Sequence, residues 1–213
     1  YARFGTGLPD LNYTNPAVTA EMEKAVKFWL KDVGVDGFRL DAAKHIIEAD
    51  NITENTPETH AWFKDFHKFY KGLNPQAMMV GEVASNSDIV HTYLQGDQLD
   101  LAFDFDLAKN IVFSAGTHSP KYLSDMLNHD LSTFQPGQFA TFLTNHDQDR
   151  AMSVLNDNVE DAKTAAALLL TSPGVPFLYY GEEIGMLGKK PDEDIRRPLQ
   201  WSNAANAGFT TGS

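Results

Sequence analysis

The 213-residue chain has no cysteine, which excludes disulfides and thiolate metal sites. That absence suits a cytosolic protein and a secreted bacterial one alike; of the two, the extracellular setting is the expectation. Long apolar runs are also missing. The longest, around Ala165 to Leu170, falls far short of the roughly 20 residues needed to cross a bilayer. Cations are scarce, with 17 Lys and Arg against 29 Asp and Glu for a net charge of −12. Nucleic acid and anionic lipid would be repelled over most of such a surface, whereas a neutral polymer would not. The chain opens at Tyr1 with neither a methionine nor a signal-like segment, so a processed, trimmed or internal piece of a longer polypeptide is expected.

What is present is enough to build a core, since 42% of the residues are hydrophobic and none of the chain is low in complexity. Met22, Ala25, Val26, Phe28, Trp29 and Val33 recur at helical spacing, predicting a helix over 17–33 that feeds a strand ending at Asp41. The alternation continues with helix 58–73, strand 77–83, a helix near 89–94 and a strand near 99–105. Helical patterns near 109–112 and 121–131 follow, then strand 139–144, a long helix near 159–170 and a last strand over 175–180. Strands separated by helices predict a parallel sheet of the α/β class, either an open sheet or a (β/α) barrel.

The segment GFRLDAAKH, Gly37 to His45, puts Arg39 and Asp41 two positions apart at the end of an apolar run. In a strand this spacing places both on one face, where the cation keeps the carboxylate ionised. An ordinary ion pair would look the same. Two further acids end similar runs, Glu82 after MMVG and Asp147 after ATFLTNH. Three acids at the ends of three strands point to a convergent site, and acids at strand C-termini favour the barrel.

GFRLDAAKH, VGEV (80–83) and FLTNHD (142–147) occur in that order, with LPDLN (8–12) before them and YYGEEIG (179–185) after. Together these stretches resemble the α-amylase family, family thirteen of the glycoside hydrolases, over nearly the whole chain. The resemblance implies a TIM-type (β/α)8 barrel, of which about the last five β/α units are visible. Residues 1–15 would be the tail of the family's inserted domain. Residues 16–190 would be the C-terminal part of the catalytic barrel, and 191–213 a loop leading toward a C-terminal β domain. The family's early motif of aspartate, asparagine and histidine has no counterpart, because Asn128 and His129 lie in a helical pattern. The missing N-terminal half of the barrel is therefore expected as a partner of this piece.

By the same resemblance Asp41 is the nucleophile, Glu82 the general acid and later base, and Asp147 the acid that binds sugar hydroxyls. Retaining hydrolysis needs two carboxyl groups about 5 to 5.5 Å apart. Arg39 would hold Asp41 charged, while the apolar run before Glu82 would raise its pKa. His146 would bond the same sugar; a satisfied core histidine is the bland alternative. Lys44 and His45 would reach the leaving-group side, as in members cutting α-1,4-linked glucans, and Ala42 points the same way. A solvated loop lysine is the alternative for Lys44. Arg196, in RRPLQW, would reach the sugar site, and Trp201 would either stack on a glucose ring or pack at a domain edge.

The expected function is therefore a retaining hydrolase of starch-like glucans or maltooligosaccharides that needs no cofactor for its chemistry. An α-glucosidase or transglycosylase on the same scaffold, an inactive half-barrel and a non-catalytic binding relative are the alternatives. Structural calcium is an open expectation with no ligand assigned: Asn12 and the His45 carbonyl are candidates, while Asp104, Asp106 and Asp192–Asp194 read better as solvated or capping acids.

Overall fold

A computed structural model describes residues 2–208. It divides into two compact units, one with the residues up to Ala84 and Asp88–Phe103, the other with Ser85–Ser87 and Asp104 onward.

The first unit carries three parallel strands, β1 (Gly37–Leu40), β2 (Met78–Gly81) and β3 (Leu101–Phe103). Helix α1 (Pro16–Lys27) precedes β1; its Asn15 cap accepts from Ala17 N at 3.0 Å, and Pro16 supplies the preset φ of a first helical turn. Beyond Lys27 the helix rewinds as a π-helical stretch, Phe28–Val33, closed by Gly34 in the left-handed region. Val26 and Leu30 are buried, but Met22, Phe28, Trp29 and Val33, expected on the buried stripe, are exposed; the last three lie in the rewound stretch.

Helix α2 (Pro57–Leu73) joins β1 to β2, capped by Thr56, whose Oγ1 accepts from Thr59 N at 3.0 Å. Phe63, Phe66 and Tyr70, spaced three and four apart, form its buried stripe. Helix α3 (Ser87–Thr92), all but its first residue in this unit, leads toward β3. Asp100 fastens the strands to α2, accepting from Tyr70 Oη at 2.7 Å and Met79 N at 2.9 Å and pairing with Lys71 at 2.6 Å.

In the second unit, α4 (Phe105–Thr117) is capped by Asp104, and α5 (Lys121–Thr133) packs against it. Asn128 and His129 lie within α5. Strand β4 (Phe139–Thr141) runs parallel to β5 (Val175–Pro176); between them come α6 (Ala151–Val154) and α7 (Val159–Thr171), the latter capped by Asn158. Helix α8 (Asp192–Ile195) closes the unit.

Both β4 and β5 are shorter than expected. After Phe177 N donates to Thr141 O at 2.8 Å, Tyr179 N turns to the Glu182 carboxylate, and a side chain replaces the next ladder partner.

Candidate active site

Register places the first two acids. Leu40 pairs with Gly81, so Asp41 and Glu82 are each the first residue past the C-terminal end of adjacent parallel strands. Glu82 N donates to Leu40 O at 2.9 Å and Ala43 N to Glu82 O at 3.0 Å, carrying the pairing into the loops. Between Asp41 and Ala43, Ala42 adopts φ 45°, ψ 40°, a left-handed conformation that costs a non-glycine residue on the order of 1 kcal/mol. It turns the chain sharply into the short helical turn Ala43–His45.

Close packing requires two glycines here. A Cβ on Gly37 would lie 1.8 Å from the Met78 carbonyl oxygen, and one on Gly81 would lie 2.3 Å from Leu99 Cδ1.

Arg39 joins the two acids. Its Nη1 is 2.6 Å from Asp41 Oδ1, and its Nη2 donates to Glu82 Oε2. The carboxylates differ in setting: the Asp41 side chain is 75% exposed and that of Glu82 16%. Burial pushes the Glu82 carboxyl above the ordinary glutamate value against the pull of Arg39, and Asp41 adds to the rise through a hydrogen bond and its charge. The rise expected from the preceding apolar run is thus present.

Lys44 and His45 face inward. Lys44 Nζ donates to Ala84 O at 2.9 Å and pairs with Glu54 at 2.9 Å; His45 Nδ1 lies 2.8 Å from Thr53 O, with Glu54 Oε2 3.8 Å from Nε2. The Glu54 carboxyl is held below its usual range, chiefly by its bond to Lys44. Lys44 is thus a largely buried clasp between the 43–55 loop and the end of β2, rather than a solvated lysine. Beside Asp41 opens a cleft of about 780 Å³ whose walls include Phe4, Leu8, Asn12, Ala42 and His45.

In the second unit Asp147 follows β4 by six residues. Arg196 Nη2 pairs with Asp147 Oδ1 at 2.7 Å, while its Nε donates to the His146 carbonyl at 2.8 Å. His146 Nε2 lies 3.2 Å from Asp147 Oδ2, so this histidine is half exposed beside the acid and not a core residue. Trp201 is 71% exposed.

The expected metal finds little support in these residues. Among those described, no three histidine or acidic side chains gather as a metal would need. Asn12 Oδ1 already accepts from Thr14 N at 3.1 Å and Thr14 Oγ1 at 2.5 Å, and Asp104 is a helix cap. Asp192 and Asp194 pair with Lys190, Arg196 and Arg197. The described residues do not assemble a calcium site by themselves.

The family model described as the α-amylase catalytic domain matches residues 1–213. The chain belongs to the α-amylase family. It is 38% identical over 215 residues to α-amylase 3 of Dictyoglomus thermophilum, and 32% identical over 250 residues to the trehalose synthase/amylase TreS of Mycolicibacterium smegmatis. These alignments cover 99% and 98% of this chain but only 41% and 42% of the relatives. A crystal structure of α-amylase from H. orenii matches with a TM-score of 0.86 at 38% identity, covering 95% of this chain and 41% of that one.

The α-amylase-family fold is therefore a TIM-type (β/α) barrel, of which this chain forms a part. Three residues that shape these loops escaped sequence reasoning. Glu54 had no signal beyond being an acid in a polar stretch. Arg150 and Glu182 sit inside or beside recognised motifs, and the burial of Arg150 and the half-burial of Glu182 set them apart.

Proposed function

We propose that the protein is a retaining glycoside hydrolase acting on α-1,4-linked glucans or maltooligosaccharides, with Asp41 as nucleophile, Glu82 as acid and base, and Asp147 as a binder of sugar hydroxyls. The observation that carries this reading is the Arg39 guanidinium engaging both Asp41 and Glu82 at adjacent strand ends. Around that shared cation the two neighbouring carboxyl groups differ in exposure, Asp41 open to solvent and Glu82 largely buried, the condition for splitting nucleophile from acid.

In the first step an Asp41 oxygen attacks the anomeric carbon, the bond to the departing oxygen breaks, and that oxygen takes the Glu82 proton. In the second, Glu82, now ionised, removes a proton from water as the water oxygen attacks the same carbon and releases Asp41. Two displacements on one carbon return the original anomeric configuration. Water and two carboxyl groups balance the reaction, so it needs no cofactor. The raised pKa of Glu82 supports its starting role as acid. The pairing of Arg196 with Asp147 supports a sugar-site role for both, with His146 beside them. Arg39, Lys44 and His45 belong to the same proposal, Lys44 and His45 by shaping the loop next to the nucleophile.

An α-glucosidase or transglycosylase action is the second reading, favoured by the 32% identity to a relative named trehalose synthase/amylase. The partner of the chain would be the glucan, together with a segment supplying the remaining barrel strands. Reducing-sugar release from soluble starch by wild type and Glu82→Gln tests the proposal. Loss of about 10³-fold or more in the variant supports it, and equal rates refute it. The product profile separates internal cutting from stepwise glucose release.

A further inference from the structure

Arg150 is 1% exposed, in the second unit, and no reaction step above uses it. Its guanidinium carbon lies 4.6 Å from the Tyr179 ring centroid and 4.8 Å from that of Tyr180. Nη1 donates to Tyr180 O at 2.7 Å, and the backbone nitrogen donates to Gly188 O at 2.9 Å. Nε and Nη2 reach no hydrogen-bond partner among the described residues. A guanidinium taken out of water this completely needs compensation, and the two ring faces provide it.

Hydrogen bonds around Arg150 tie residues 144–153 to residues 179–188 and brace each segment internally. Glu182 accepts from Thr144 Oγ1 and from Tyr179 N, both at 3.2 Å. Thr144 Oγ1 accepts from Ala151 N at 3.2 Å, and Gly188 N donates to Ser153 Oγ at 2.9 Å. Burial pushes the Glu182 carboxyl up to about 7, with the Arg150 charge drawing it the other way. Asp147 lies inside the first of these segments, beyond the end of β4.

The same two tyrosines also hold the residue that pairs with Asp147. Tyr179 Oη donates to Ile195 O at 3.1 Å and Tyr180 Oη to Arg197 O at 2.7 Å, bracketing Arg196. Arg196 in turn reaches Asp147 and the His146 carbonyl. Arg150 is thus linked to Asp147 in two ways, three residues along the chain and through the tyrosine pair to Arg196.

We propose that Arg150, stacked on Tyr179 and Tyr180, is a positioning residue that fixes Asp147 and Arg196 relative to each other. This rests on the reading of Asp147 as a sugar-binding acid. Displacing such a group by about 1 Å costs on the order of 10²-fold in rate.

The test uses the full chain with Arg150→Lys and Tyr179→Phe, measuring kcat and KM on a maltooligosaccharide and amide hydrogen exchange over residues 144–150. The expected result is a kcat about 10²-fold lower for Arg150→Lys and about tenfold lower for Tyr179→Phe, KM changing less, with faster exchange over 144–150. Values of kcat within twofold of wild type and unchanged exchange in folded variants overturn the proposal. Should Arg150→Lys fail to fold, Tyr179→Phe decides. Asp147→Asn is the control for the underlying reading. If it keeps wild-type kcat, the role of Asp147 falls, and the exchange measurement alone then decides whether Arg150 fixes the segment.

Discussion

Arg39 Nη1 stands 2.6 Å from Asp41 Oδ1, and the other terminal nitrogen of the same guanidinium engages Glu82. One cation therefore touches both carboxyl groups. In Arg39→Met the pull that lowers the Glu82 pKa is lost while burial remains, so the Glu82 carboxyl should titrate at higher pH. In Asp41→Asn the neighbouring charge is gone and the shift should be downward. Carboxyl-carbon NMR titration of Glu82 in the two variants checks the signs, and equal or inverted shifts contradict this assignment of causes. Hydrolysis by Arg39→Met should fall by about 10²-fold or more, with kcat/KM as the readout.

Gly37 and Gly81 should differ in tolerance. The Cβ of Gly37→Ala meets a backbone oxygen that β-pairing fixes in place, whereas that of Gly81→Ala meets the end of a leucine side chain. Gly37→Ala should cost more than about 3 kcal/mol and Gly81→Ala about 1–3 kcal/mol. Adding Leu99→Ala should restore part of the Gly81→Ala loss. Urea unfolding of the three variants measures this, and a smaller cost at Gly37 than at Gly81 would contradict the packing argument.

Asp130 on α5 predicts a pH dependence of stability. It is fully buried, and Asp104 at the cap of α4, Asp106 within α4 and Ser87 face it. Burial first, and the Asp104 charge next, push its carboxyl up to about 8. The folded state therefore binds more protons than the unfolded one between about pH 4 and pH 8. The stability contribution is complete below about pH 4 and lost as pH rises through about 8, with a slope of up to about 1.4 kcal/mol per pH unit. Asp130→Asn should flatten this slope in urea unfolding across pH 5 to 9. An unchanged slope would show that Asp130 is ionised at no cost.

Much of this was legible in the sequence because the informative residues sit at strand ends. Asp41 and Glu82 each follow a short apolar run, and parallel pairing of Leu40 with Gly81 brings them side by side without further information. The helix caps Asn15, Thr56 and Asn158 come from local chemistry and mark helix starts within about two residues of the expected ones. What could not be read was tertiary. The π-helical rewinding at Phe28–Val33 breaks the register of the apparent stripe for Phe28, Trp29 and Val33, because a hydrophobic period of 3.6 is meaningful only while the helix keeps that period. The inward turn of Lys44 depends on Glu54, ten residues away in a loop with no periodic pattern. Arg150 looks like a surface cation until its burial between two tyrosine rings is seen.

The central claim is that Asp41 forms a covalent bond to the sugar and Glu82 supplies the proton. A 2-deoxy-2-fluoro glycosyl fluoride of an α-glucan unit, incubated with the full chain and analysed by peptide mass spectrometry, tests it directly. One added glycosyl group is expected on the peptide containing Asp41, absent in Asp41→Asn. A glycosyl adduct on another carboxylate, or turnover of the reagent with inverted configuration and no adduct, would contradict it.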